Sequence, residues 1–194
     1  MSSITVIIRR TAVAAPALLL TYGVCRFLDG LDGRRGSGVF WNVGHVAFFV
    51  AMVLFGVLAV GLRGLLGGRP VATVATVVAL AGVACFLWVI TGDLFHGFRR
   101  AAPMPDALQT AGPMLFPLGM LGFFGLLVAA RRLPVWTPLL FGVGTAAISV
   151  DLDLLPIAAF VVFCSLLPLR RTSEFADSAT PQVRYRPRRE LRSR

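Results

Sequence analysis

The chain has no lysine: all 19 of its basic residues are arginine. It is also poor in what a water-facing surface needs. Charged residues make up 14% of its 194 residues, against about a quarter in soluble domains. Histidine occurs twice, cysteine three times and asparagine once. The cysteines, Cys25, Cys85 and Cys164, are odd in number, widely spaced and set in apolar segments. That excludes a disulfide framework and a thiolate metal cluster, and they read as small core residues. No segment shows the alternation of a strand, so no glycine-rich phosphate loop can follow one. No serine, cysteine or histidine arrangement suggests a nucleophile. The sequence therefore names no reaction.

What is present is hydrocarbon. Hydrophobic residues make up 57% of the chain, and the mean hydropathy is +0.80. Residues 71–90 (VATVATVVALAGVACFLWVI) carry no charge. As a helix they reach about 30 Å, the thickness of a bilayer's hydrocarbon core. Polar residues then arrive together: Asp93, His96, Arg99 and Arg100. A soluble helix would spread them along one face; a membrane span collects them at its end. The fold expected is an all-α polytopic membrane bundle. Abundant Ala, Gly, Val and Leu, with arginine as the sole basic residue, fits a GC-rich bacterial genome and a place in the cell membrane.

Six spans are expected, at 11–28, 39–62, 71–90, 107–130, 133–150 and 154–169. Residues 1–10 read as a short tail. Their basic start runs on into a full-length span rather than a cleavable leader. Pro16 should kink the first span, and Arg26 near its end should snorkel to the interface. Phe40 and Trp41 suit an interfacial aromatic belt. Ala72, Ala75, Ala79 and Gly82 form one small-residue stripe, and Gly119, Gly122 and Gly125 another, where helices can approach closely. Leu94, Phe95 and Phe98 read as lipid-facing residues of a short interfacial helix. Asp106 and Gln109 fit a capping box for the fourth span, and Asp153 a cap for the sixth. Pro113 and Pro117 should bend the fourth. Asp151 and Asp153 split the last long apolar stretch into a hairpin.

Residues 1–169 thus form one transmembrane domain, and 170–194 a basic tail too poor in apolar residues to fold alone. The tail's arginines, including Arg170, Arg171, Arg184, Arg186, Arg188 and Arg189, suit anionic lipid headgroups better than nucleic acid. An even number of spans puts both termini on one side. Arg9, Arg10, Arg63, Arg69, Arg131, Arg132 and the tail share that side, so both termini should be cytoplasmic.

All six acids before the tail fall at the other end: Asp29, Asp32, Asp93, Asp106, Asp151 and Asp153. One reading makes them helix caps and partners of Arg34, Arg35, Arg99 and Arg100. The other is an outward polar site built from Asn42, His45, Asp93, His96, Asp151 and Asp153. Asn42 and His45 lie one turn apart on one helix. Asp93 and Asp151 sit in similar pentapeptides, ITGDL and ISVDL, a hint of a duplicated hairpin such as transporters carry. No metal site or cofactor is expected. A ligand shared by His45 and His96 would have to bridge an axial offset of about 15 Å at the helical rise. Residues 29–35, DGLDGRR, resemble the opening of the CDP-alcohol phosphotransferase motif. The Ala-Arg and two further aspartates of that motif are absent, so its two-metal chemistry is not implied.

Three classes of function remain. The chain binds a lipid, a small solute or a membrane partner, which includes a second copy of itself. Or it is a membrane-embedded enzyme acting on an apolar, isoprenoid or lipid-like substrate through outer carboxylates, as small terpene cyclases manage with few acids. Or it is a transporter or a transporter subunit. Absence of motif chemistry favours the first.

Overall fold

The computed structural model describes residues 3–31, 36, 38–67 and 69–170. The side chain of His96, the loop acid Asp32, Arg34, Arg35 and the tail from Arg171 onward lie outside the described residues. Every regular element among those described is helical. In order they are α1 (Ser3–Asp29), α2 (Val39–Leu65), α3 (Pro70–Leu94), α4 (His96–Ala101), α5 (Asp106–Ala111), α6 (Leu115–Ala129), α7 (Trp136–Val150), a 3-10 turn (Leu152–Leu154) and α8 (Leu155–Leu166).

Four segments are long and apolar enough to cross a membrane: α1, α2, α3, and α5 with α6 taken together as Asp106–Ala129. The sequence reading has six. The last two, α7 and α8, are 15 and 12 residues long, or about 22 and 18 Å. They fall short of a 30 Å core on length alone.

The six long elements form a closed ring. Each packs on its neighbour in the chain, and α8 returns to pack on α1. Neighbours run antiparallel, as the cross-helix contacts show. Gly61 of α2 meets Ile8 of α1, and Gly44 meets Cys25. Gly23 of α1 meets Leu155 and Pro156 of α8. One end of the ring therefore collects the carboxyl ends of α1, α3 and α7, together with their aspartates. The other collects Arg63, Arg69, Arg131, Arg132 and Arg170.

The two small-residue stripes meet each other. A Cβ on Gly82 would strike the backbone nitrogen of Phe116, and one on Gly119 would lie 2.7 Å from the Ala75 carbonyl oxygen. The α3–α6 seam is thus backbone against backbone, which only glycine and alanine permit. Gly125 is outside it, with nothing within 4 Å of its would-be Cβ. Inside the ring, Phe55, Met120, Phe123, Phe124 and Phe141 are wholly buried.

The outside of the ring is apolar too. Val43, Val46, Val50, Val53, Val57 and Val60 recur at helical spacing along α2, and they are 40% to 53% exposed. Such a stripe in water would be an aggregation surface; in hydrocarbon it is the solvated face. The hydroxyls conform. Thr11, Thr76, Thr91, Thr145 and Ser149 each donate to a carbonyl four residues back, so none needs water.

Several local expectations are corrected. Helix α1 begins at Ser3, so Arg9 and Arg10 lie within it rather than in a tail. A charge ends the hydrocarbon contact, not the backbone hydrogen bonding. Pro105, not Asp106, occupies the cap of α5, and no side chain caps that helix. Pro105 has no N–H to satisfy, and its carbonyl accepts from Leu108 and Gln109. The expected bend of the fourth span is a break at residues 112–114, beside Pro113. No side chain caps α8, which follows Leu154; Asp151 instead caps the 3-10 turn before it, its carboxylate accepting the Asp153 N–H at 2.8 Å. Phe98 does not simply face lipid; its ring packs edge-on against Trp88, 5.1 Å between centroids.

Candidate functional site

The polar residues of the aspartate-bearing end gather where α1, α2 and α3 finish or begin. His45 stands two turns inside α2 and is 3% exposed. Its Nδ1 lies 2.8 Å from the Trp41 carbonyl oxygen, one turn back. A carbonyl can only accept, so Nδ1 carries the proton. Nε2 then points across the seam, 3.9 Å from Asp93 Oδ2 at the end of α3. The other carboxylate oxygen, Oδ1, accepts from Arg99 of α4, which folds back over the end of α3. The indole of Trp88 fixes that fold by donating to the Ala102 carbonyl at 3.1 Å.

Aromatic rings wall the imidazole. Trp41 lies over it at 3.9 Å between centroids, and Tyr22 of α1 meets it edge-on at 5.4 Å. Tyr22 also accepts a hydrogen bond from Arg26, one turn further along α1. Arg26 Nε is buried without a hydrogen-bond partner. Beside it Asp29, itself buried, accepts the Gly36 N–H at 3.3 Å. Arg26 is half-buried between Tyr22 and Asp29.

Above this cluster lies a recess of about 360 Å³, lined by Gly36, Trp41, Gly92, Asp93, Arg99 and Arg100. Arg100 is exposed and has no ion pair among the described residues.

Of the six expected site residues, the structure brings His45 and Asp93 together. Asn42 is exposed on α2, while His45, one turn further into the helix, is buried. The backbone of His96 opens α4, the helix that carries Arg99, and its side chain lies outside the described residues. Asp151 and Asp153 are exposed and belong to the α7–α8 turn. In the ring α6 stands between α3 and α7, so their aspartates do not converge with Asp93. The two similar pentapeptides also differ in conformation: Asp93 is helical, whereas Asp151 is extended at φ −148° and ψ 119°.

Tyr22 is a member of the cluster that sequence reasoning passed over, and Arg26 and Trp41 are members that it assigned to the interface. The available signal was Tyr22 and Arg26 at i and i+4, a polar pair one face wide near the end of an apolar helix. Among the described residues, no three His, Cys, Asp or Glu side chains converge as metal ligands would. Cys25 and Cys85 are buried, as expected, and Cys164 is half-buried. No known protein family, curated protein or solved structure matches the chain.

Proposed function

We propose that the chain crosses the cell membrane six times with both termini cytoplasmic, and that it binds a small solute bearing an anionic group at its outer end. The recess over the His45–Asp93–Arg99 cluster carries this reading. Its volume is in the range of small-ligand sites. Within it Asp93 is already neutralised by Arg99, while Arg100 at the wall has no ion pair among the described residues. A carboxylate or phosphate is the complement of that wall. The bilayer is the protein's first partner, and the tail arginines from Arg170 onward sit at anionic headgroups.

The crossing number draws support from the hairpin. Leu155, at the start of α8, lies against Gly23, six residues before the end of α1. Ser149 Oγ is 3.8 Å from Met114 Sδ at the break between α5 and α6. The α7–α8 tip therefore lies toward the end of the ring where α1 and α3 finish.

An enzyme working through outer carboxylates draws less support. Asp93 is occupied by a cation and Asp151 by a backbone N–H. Neither is poised as a free acid or base beside an open cavity.

The test is native mass spectrometry of protein extracted in mild detergent, for the native chain and for Arg100→Gln. A small anionic molecule bound to the first and lost from the second supports the proposal. A species bound equally to both places the site elsewhere.

A further inference from the structure

The opposite end of the ring holds a second, independent feature. Between α1 and α3, the outer face of α2 is recessed into a groove of about 740 Å³. Its floor is Val53, Gly56, Val57, Val60 and Gly61, and Arg63 stands at its end. Ile7 of α1 and Leu80 of α3 lie on its two sides.

From Val53 to Arg63 is ten helical residues, or about 15 Å, which is half the hydrocarbon thickness. The groove is one leaflet deep. Along that depth it offers only hydrocarbon. At its end Arg63 is exposed and has no ion pair among the described residues. The described acids, Asp29, Asp93, Asp106, Asp151 and Asp153, all lie at the other end of the ring. Arg69 begins the next helix on the same side.

A long apolar trough one leaflet deep that ends in an exposed cation matches one kind of occupant. It is an amphiphile with a hydrocarbon chain and an anionic head. We infer that this groove is a specific seat for an anionic phospholipid of the leaflet facing Arg63, with one acyl chain along α2 and its phosphate on the guanidinium. A transmembrane helix of a partner would be a poorer match, because it would leave Arg63 unneutralised beside its apolar face.

The experiment is lipid retention. Protein in mild detergent is equilibrated with an equimolar mixture of phosphatidylglycerol and phosphatidylcholine of identical chains. The bound copies are then counted by native mass spectrometry. The native chain should retain one phosphatidylglycerol in preference to phosphatidylcholine. Arg63→Gln, a surface change that leaves the packing intact, should lower that preference about fivefold, the value of one arginine near an anionic surface. Val57→Trp should block the groove and release both lipids, whereas Val143→Trp on the exposed face of α7 should release neither. Equal retention of the two lipids by the native chain, or an unchanged preference in Arg63→Gln, overturns the inference. So does retention in Val57→Trp that matches Val143→Trp.

Discussion

His45 Nε2 faces Asp93 Oδ2 across 3.9 Å at the α2–α3 seam. The histidine is 3% exposed and the aspartate 24%, while the second partner, Arg99, is 62% exposed. Burial therefore ranks the three side chains, and the ranking sets what each contributes.

Asp93→Leu should destabilise the bundle by about 1–3 kcal/mol, because it leaves the buried Nε2 edge of the imidazole against hydrocarbon with no polar neighbour. Arg99→Gln should cost less than about 1 kcal/mol, since an exposed ion pair is worth little. Reversible unfolding in mixed micelles checks the order. A larger loss for Arg99→Gln would mean that the fold of α4 over α3, rather than the buried imidazole, depends on Asp93.

The imidazole's tautomer is fixed by the Trp41 carbonyl. Nitrogen-15 spectra of the labelled protein should show Nδ1 of His45 protonated. A neutral ring with its proton on Nε2 alone would contradict the hydrogen bond to Trp41.

The α3–α6 seam separates glycines by role. Gly82→Val puts a branched side chain where the Phe116 backbone already stands, and should cost more than about 3 kcal/mol through overpacking. Gly125→Ala meets nothing, and should stabilise its helix by up to about 1 kcal/mol. Parallel unfolding curves of the two variants make the comparison; equal effects would mean that the seam is loose.

These contrasts show what local pattern can carry. The extents of α2 and α3 were readable within a few residues, because uninterrupted hydrocarbon and a polar end are both local signals. The two small-residue stripes were also visible, since their spacing is a property of each helix alone. That Gly82 and Gly119 face each other was not, because pairing depends on ring order. Asp93 and Asp151 looked equivalent for the same reason: their pentapeptides match, but α6 stands between their helices. Arg9 and Arg10 misplaced the start of α1, because the pattern of charge marks the membrane boundary and helical hydrogen bonding runs past it. Arg26 was read alone, although Tyr22 stands one turn before it on the same helix.

The account rests on the aspartate-bearing end facing outward at all three of its turns, the short α7–α8 hairpin included. Leu152 is exposed at the tip of that hairpin. The most direct measurement is to place a cysteine there, Leu152→Cys, after replacing Cys25, Cys85 and Cys164 by alanine, and to label intact cells with a membrane-impermeant maleimide. Labelling from outside, with a cysteine at Gly67 labelled only after lysis, is the result the six-crossing arrangement predicts. Protection of Leu152→Cys in intact cells, or labelling of the Gly67 position from outside, would contradict it.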